Sequence, residues 1–424
     1  MTSIGYCANV HPGRNLAQLR ESLAGPMARV ARGLTQPTLA VSLWLSAETI
    51  RELSDQPSLA ESLRDEAHDF GISFVAINAF PYGNFHAQRV KHAVYEPNWT
   101  DGRRAHYTLA VAELLPLLVA DGTQHTSIST LPLGWRATFS ASGSGASVGI
   151  ASAALEHIAS RLHAIEQTTG LHITLDIEPE PGCAIETSEE LVGFFAHCLP
   201  TTTRTAVNLR RYIGACVDVC HGAVMGEPPH EFFERCAKAG VAINRVQLSS
   251  AIKGTNSEHD LAALAQFNEP RYLHQVVTGF GASRRLWDDI PNFLADTNIG
   301  HGDNPAPTST TKKIGDTFSP TLANTALHHL TNSTTQEWRC HWHVPIHHAM
   351  INGLETTSSA ITGTLDAVLR LPNAPLIEVE TYAWTQLPHL DHVSSEVEVE
   401  QGIVQEIRYA QTCAAAAQAA SDLA

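Results

Sequence analysis

Nine short apolar runs, separated by segments with helical spacing, constrain this chain more than any other feature. They are GYCANVHP (5–12), LAVSLWLS (39–46), ISFVAINAF (72–80), TSISTLPLG (126–134), HITLDIEPE (172–180), YIGACVDVCH (212–221), RVQLSS (245–250), WRCHWHVPI (338–346) and LIEVETY (376–382). Between them, Leu155, Ile158, Leu162 and Ile165 share one helical face, and Gly170 is a C-terminal stop. Thr187 followed by Glu190 forms a capping box, and HEFFERCAKAG stops at Gly240. Strands alternating with helices predict a parallel sheet with right-handed crossovers. About eight such units make a (β/α)8 barrel, with WRCHWHVPI extending or accompanying another strand. A doubly wound open sheet is the alternative. No GxGxxG follows the first strand, so a dinucleotide site has no support.

The 424 residues are read as one α/β barrel domain, 1–424, with long inserted loops. With 43% apolar residues the chain can fill a large core. Two regions fall outside the repeat: an aromatic and basic active-site loop, 81–107, and an insertion, 251–337, partly rich in Thr, Pro and Asn. Residues 410–424 are a helix end or a C-terminal tail. A net charge of −16 repels phosphate backbones, which argues against nucleic acid as partner. No apolar stretch reaches membrane-spanning length, and the start lacks a signal peptide's basic and apolar regions. The eight cysteines show no CxxC pair and read as reduced thiols, so a cytoplasmic location is expected.

In such a barrel the chemistry lies at the C-terminal ends of the strands. The runs end in polar residues: Asn9 and His11; Asp176, Glu178 and Glu180; Asp218 and His221; His341 and His343; Glu378 and Glu380; with Gln247 in the seventh. Alternate strand residues face one side, so Asp176 pairs with Glu178, His341 with His343 and Glu378 with Glu380. Several carboxylates buried together are costly unless a cation neutralises them. Carboxylates and imidazoles converging on one rim therefore point to a divalent metal, Mn, Zn, Fe or Mg, with Asp218 and His221 as ligands. Glu180, between two prolines, is read as an outer carboxylate or general base. Cys216 and Cys220 are read as packing residues. His347 and His348 are read as solvated residues at a helix start.

The ordered motifs YCANVHPG, PYGNFHAQRVKHAVYEPNW, DIEPEPG, CVDVCHGAV, RVQLSSAIKG, HWHVPI and EVETY resemble the EboE family of metabolite-traffic proteins over nearly the whole chain. That family looks like a branch of the xylose-isomerase-like barrels, which include sugar-phosphate isomerases, epimerases and endonuclease IV. The resemblance implies one or two metal ions held by Glu178, Asp218 with His221, Gln247 or a histidine of HWHVP (His341, His343), and Glu380. Two departures stand out. Gln247 replaces the usual histidine of the seventh strand, and VSLWLS lacks the second strand's acidic residue, so a three-metal site is not expected. The resemblance also implies a secondary-metabolite precursor as substrate and contacts with other proteins of a small gene cluster; it leaves the oligomeric state open.

Three functions follow from this reading. The first is a metal-dependent isomerase or epimerase of a sugar-like or cyclitol-like polyol. The others are a metal-dependent hydrolase of a phosphoester or conjugated precursor, and a non-catalytic metabolite-binding protein. For the first, Glu180, Lys253 and His86 are the expected catalytic residues, Lys253 neutralising an oxyanion or phosphate. Lys91, Tyr95 and Trp99 would close over the substrate, with His11 and His274 as further substrate contacts.

Overall fold

The computed structural model describes residues 4–140, 143–298, 335–388 and 396–422. The strands, in chain order, are β1 (Ile4–Cys7), β2 (Leu39–Trp44), β3 (Ile72–Asn78), β4 (His125–Thr130), β5 (His172–Ile177), β6 (Ile213–Asp218) and β7 (Ile243–Leu248). There follow β8 (Ser250–Thr255), β9 (Val276–Thr278), β10 (Arg285–Trp287), β11 (Glu337–Val344), β12 (Met350–Ile351), β13 (Leu354–Thr356) and β14 (Leu376–Val379). Strands β1 to β7 and β14 close on one another in the order β1-β14-β7-β6-β5-β4-β3-β2, and every pair is parallel. The fold is a (β/α)8 barrel.

Local chemistry explains the helix boundaries. The helix Ser144–Thr169 stops at Gly170, whose φ of 76° suits a residue without Cβ. Gly240 does the same for Pro229–Ala239 at φ 65°. Thr187 caps Ser188–His197 by accepting from the Glu190 N–H at 3.3 Å. The return half of the capping box is absent, because the Glu190 carboxylate accepts from the Glu186 N–H at 2.7 Å and pairs with Arg136 at 2.8 Å. The expected loop 81–107 ends early: Asp101 accepts from the Arg103 N–H at 2.9 Å and starts the helix Gly102–Leu118.

The insertion is larger and better ordered than the sequence suggests. It leaves the barrel directly after β7 and returns with the helix Ala360–Val368, whose Ile361, Leu365 and Val368 join the barrel core ahead of β14. Its described strands form a second sheet, antiparallel, in the order β10-β9-β11-β8-β13-β12. The HWHVP run is β11, between β8 and β9, and adds nothing to the barrel wall. Trp338, Trp342, Phe267, Ile252 and Val276 give this sheet its own core. Its Thr/Pro/Asn-rich stretch, within 299–334, lies outside the described residues. Residues 410–422 belong to the helix Glu396–Asp422. Among the described residues no helix is long and apolar enough to cross a membrane. His347 and His348 start no helix; they occupy the turn leading into β12.

Candidate metal centre

The lumen is built in layers. Low in the barrel, Asp176 is fully buried and accepts from Ser127 Oγ at 2.6 Å, Thr174 Oγ1 at 2.8 Å and Asn244 Nδ2 at 2.6 Å. Gly214 makes room for this arrangement: a Cβ there would lie 2.3 Å from Asn244 Nδ2 and 2.7 Å from Asp176 Oδ1. Glu378 takes two hydrogen bonds from Arg245, at 2.8 and 2.5 Å, and both side chains are buried. The parity argument therefore sent Asp176 and Glu378 to the correct side but to the wrong depth: Asp176 is fully hydrogen-bonded, and Glu378 has its counter-charge in Arg245, although its Oε2 is buried without a partner.

One repeat higher, Glu178, Asp218 and Glu380 each offer an oxygen within 4.8 Å of the others. Asp218 Oδ1 accepts from the His221 N–H at 2.8 Å and from Ser249 Oγ at 2.8 Å. Glu380 Oε1 accepts from Asn9 Nδ2 at 2.5 Å and Asn78 Nδ2 at 3.2 Å. The second oxygens, Glu178 Oε2, Asp218 Oδ2 and Glu380 Oε2, are buried without a partner. No lysine or arginine pairs with this group among the described residues. Burial, then mutual repulsion, raises Glu178 and Glu380 well above the usual carboxylate range.

Three imidazoles complete the rim. His221 Nδ1 donates to the Pro179 carbonyl at 3.0 Å, and His343 Nδ1 to the Glu380 carbonyl at 2.9 Å. His341 Nδ1 donates to Gln275 Oε1 at 2.7 Å. The amide orientation follows from Gln275 Nε2, which donates to the Pro181 carbonyl at 2.9 Å and Tyr95 Oη at 2.9 Å. Carbonyl oxygens only accept, so each Nδ1 carries the proton and each Nε2 presents a lone pair. Yet His221 Nε2 and His341 Nε2 lie 3.1 Å apart, and His343 Nε2 is buried without a partner. Burial lowers His221 to about 4, His341 well below the usual histidine range and His343 below it as well, so proton sharing does not relieve the contact. Lone pairs facing each other beside unpartnered carboxylate oxygens form a set of donors that could hold a cation. Carbonyl-anchored imidazoles with free Nε2 atoms are the outer-shell pattern of metal-binding histidines. Oxygen and imidazole donors together suit Mn, Zn, Fe or Mg. Asp218, His221 and His343 form one possible ligand group, and Glu180, His221 and His341 another.

Glu180 sits beside this rim. Its Oε1 accepts from Tyr95 Oη at 2.7 Å and Gln275 Nε2 at 3.4 Å, and lies 3.6 Å from His341 Nδ1. A cavity opens above, with about 530 Å³ of free space counting its mouth. Glu178, Glu180, Glu380, His221, His341 and His343 line its floor, and Lys91 and Tyr95 lie on its wall.

The remaining expected site residues are not brought to this floor. Gln247 accepts from Cys216 Sγ at 3.3 Å; it is in register with both Asp218 and Glu378 and does not line the cavity. Lys253 is on β8 and pairs with Glu355 at 2.8 Å. His11 is held by Tyr6 Oη at 3.2 Å, and His86 Nε2 by the Asn9 carbonyl at 2.8 Å. Trp99 donates from Nε1 to Thr130 Oγ1 at 3.2 Å. His274 is buried between the His341 carbonyl at 2.9 Å and Glu269 at 2.9 Å, and stacks on Trp342. Of these six, none lines the cavity. Residues that the sequence reading passed over hold the site together: Asn78, Ser249 and Gln275. Asn78 ends a barrel strand on the lumen side and was detectable by the same parity argument once amides were admitted beside carboxylates.

No family model matches the sequence, and no curated protein matches it. The EboE resemblance therefore rests on its motifs alone. The chain is similar in fold to several solved structures. One is a xylose isomerase-like TIM barrel protein from Mycobacterium smegmatis in complex with magnesium (TM-score 0.47, 11% identity, covering 97% of this chain and 98% of that one). Another is the D-allulose 3-epimerase of a Methylomonas species in complex with D-allulose (0.35, 13%, covering 64% and 82%). A third is a D-psicose 3-epimerase in the presence of D-fructose (0.36, 16%), of which this chain spans 66% while 53% of its own length is covered.

Proposed function

We propose that this protein is a divalent-metal-dependent isomerase or epimerase of a small substrate carrying a carbonyl next to a hydroxyl. The observation that carries the proposal is the meeting of three proton-free Nε2 atoms with three unpartnered carboxylate oxygens at the C-terminal rim of the barrel. A bound ion would stabilise the negative charge that develops on the substrate oxygens. Glu178, Asp218 and Glu380, with His221 and His343, would hold it. Asn9 and Asn78 orient Glu380, while Ser249 orients Asp218. Glu180 lies outside the three-carboxylate group and is held towards the cavity by Tyr95 and Gln275. It would take the proton from the carbon beside the carbonyl and return it to the neighbouring carbon, or to the same carbon in an epimerisation. Within the same proposal, the chain works as a single domain on a metabolite precursor; a cytoplasmic setting follows from cysteines read as reduced thiols, and cluster partners from the motif resemblance.

The test is exchange in D2O on metal-loaded protein, followed by NMR over a panel of α-hydroxy aldehydes and ketones. Deuterium should enter the carbon beside the carbonyl, and Glu180→Gln should abolish entry while leaving bound metal, by elemental analysis, unchanged. Absence of metal, or exchange that survives Glu180→Gln, rejects the assignment. Metal and substrate binding without exchange would instead favour a carrier.

A further inference from the structure

The floor and the walls of the cavity differ in chemistry. The polar floor is accounted for by the metal centre. Above it stands an aromatic group, Phe85, Tyr272 and Tyr382, with ring centroids 4.9 Å (Phe85–Tyr272), 5.3 Å (Phe85–Tyr382) and 5.0 Å (Tyr272–Tyr382) apart. Tyr382 also packs against His343 at 4.6 Å, so this apolar wall begins at the ligands themselves. Val90, Val94 and Leu273 continue it. A free polyol needs donors and acceptors on every side, because each hydroxyl moved out of water without a partner is costly. Apart from the hydroxyls of Tyr272, which is buried without a partner, and Tyr382, these walls supply few.

They supply no phosphate site either. Among the described residues Lys91 is the only lysine or arginine lining the cavity. Its ammonium is committed to Asp289 at 2.6 Å and to the Glu269 carbonyl at 3.0 Å. Phosphate recognition takes uncommitted Lys, Arg or clustered backbone N–H groups, and the nearest fixed charges here are carboxylates.

We infer that the substrate is bipartite: a hydroxy-carbonyl head that sits on the metal centre, joined to an uncharged apolar body, aryl or alkyl, held by the Phe85–Tyr272–Tyr382 wall. The inference rests on the metal reading above and adds the chemical class of the rest of the molecule. It sets aside an unsubstituted sugar and a sugar phosphate.

The experiment is calorimetry on the full chain. Binding of Mn²⁺ is measured first, then binding of three probes to the Mn²⁺-loaded protein: 2-hydroxyacetophenone, dihydroxyacetone and dihydroxyacetone phosphate. The aryl ketone should bind roughly 10- to 100-fold tighter than dihydroxyacetone, as expected for burying one ring, and the phosphate should bring no gain. Val94 is half-buried on the wall. Val94→Asp, or the milder Val94→Asn, should cut the aryl preference severalfold while Mn²⁺ binding and melting temperature stay level. Failure of Mn²⁺ to bind overturns the metal reading and this inference with it. Mn²⁺ binding with dihydroxyacetone or its phosphate bound as tightly as the aryl ketone overturns this inference alone. An aryl preference that both Val94 variants leave untouched overturns the assigned wall.

Discussion

Two levels of the same lumen hold buried carboxylates, and they are solved differently. Below, Glu378 faces Arg245, and the chain supplies both charges. Two residues further along the chain, Glu380 joins Glu178 and Asp218, and among the described residues no lysine or arginine pairs with them. Burial is equally complete at both levels, with Glu378 and Glu380 each 3% exposed. An acidic residue in a barrel is therefore not in itself a sign of function. What marks the upper level is the missing counter-charge, together with imidazoles fixed in the tautomer that donates electrons rather than protons.

The sharpest way to break this comparison is to remove the lower cation. Arg245→Met leaves Glu378 buried and unpaired and should cost about 3–5 kcal/mol in urea unfolding, whereas Arg245→Met with Glu378→Leu should recover most of it. A single variant that stays as stable as the parent would mean that the lower pair is not structural.

At the upper level the missing charge should be replaceable from solution. Mn²⁺ or Zn²⁺ at 1,000 times its dissociation constant should raise the stability of chelator-treated protein by about 4 kcal/mol, read as a melting shift. No shift with any divalent ion removes the contrast between the levels.

The metal-free protein should also respond to pH. Glu178 and Glu380 are held above the usual carboxylate range, so the native state keeps protons that the unfolded chain has released. The lowered histidines pull the other way at acid pH, so the trend is read from pH 7 to 8, where they are neutral in both states: stability of the apo form should fall there as pH rises. Metal-loaded protein should show the opposite trend in affinity, since binding displaces those protons. Apo stability that rises over this window would mean the carboxylates are already compensated.

Asp218→Asn should change apo stability by less than about 1 kcal/mol, because an amide oxygen can still accept from His221 N–H and Ser249 Oγ and one repulsive charge is gone. Bound metal should nevertheless be lost. Retained metal with a large stability drop would make Asp218 a second Glu378. The smallest effect belongs to Lys253→Ala, on the inserted sheet, where an exposed pair with Glu355 should matter by less than about 0.5 kcal/mol and leave metal content untouched.

Much of the site was legible because its signals are local. Glu178, Asp218 and Glu380 stand at or just past the ends of runs that read as strands, and a period of two puts each on the lumen side. Lys253, His274 and Trp99 were misplaced for one shared reason. Each stands beside a strand end or in a long loop, and nothing within a few residues tells whether its head group already has a partner. For Lys253 the partner is 102 positions away, and for His274 the His341 carbonyl is 67 away. The insertion was underestimated because its short antiparallel strands alternate weakly and depend on one another for pairing.

By itself the sequence determined the alternation of strands and helices, the caps at Thr187, Gly170 and Gly240, and the set of polar residues that reach the barrel's rim. These follow from periodicity and backbone preference over a few residues. Only the tertiary structure decided depth and company. It separated Glu378 from Glu380 by the side chains that reach them, Arg245 of β7 for Glu378 and the carboxylates Glu178 and Asp218 for Glu380. It swung β11 out of the barrel and over its mouth, so that His341 and His343 meet His221 from outside the wall. And it supplied the carbonyls of Pro179, Glu380 and Gln275 that aim three Nε2 atoms inward. Register and acceptor pairing join residues as far apart as Asn9 and Glu380, 371 positions, and such pairings are settled by closing the whole fold rather than by any local stretch of chain.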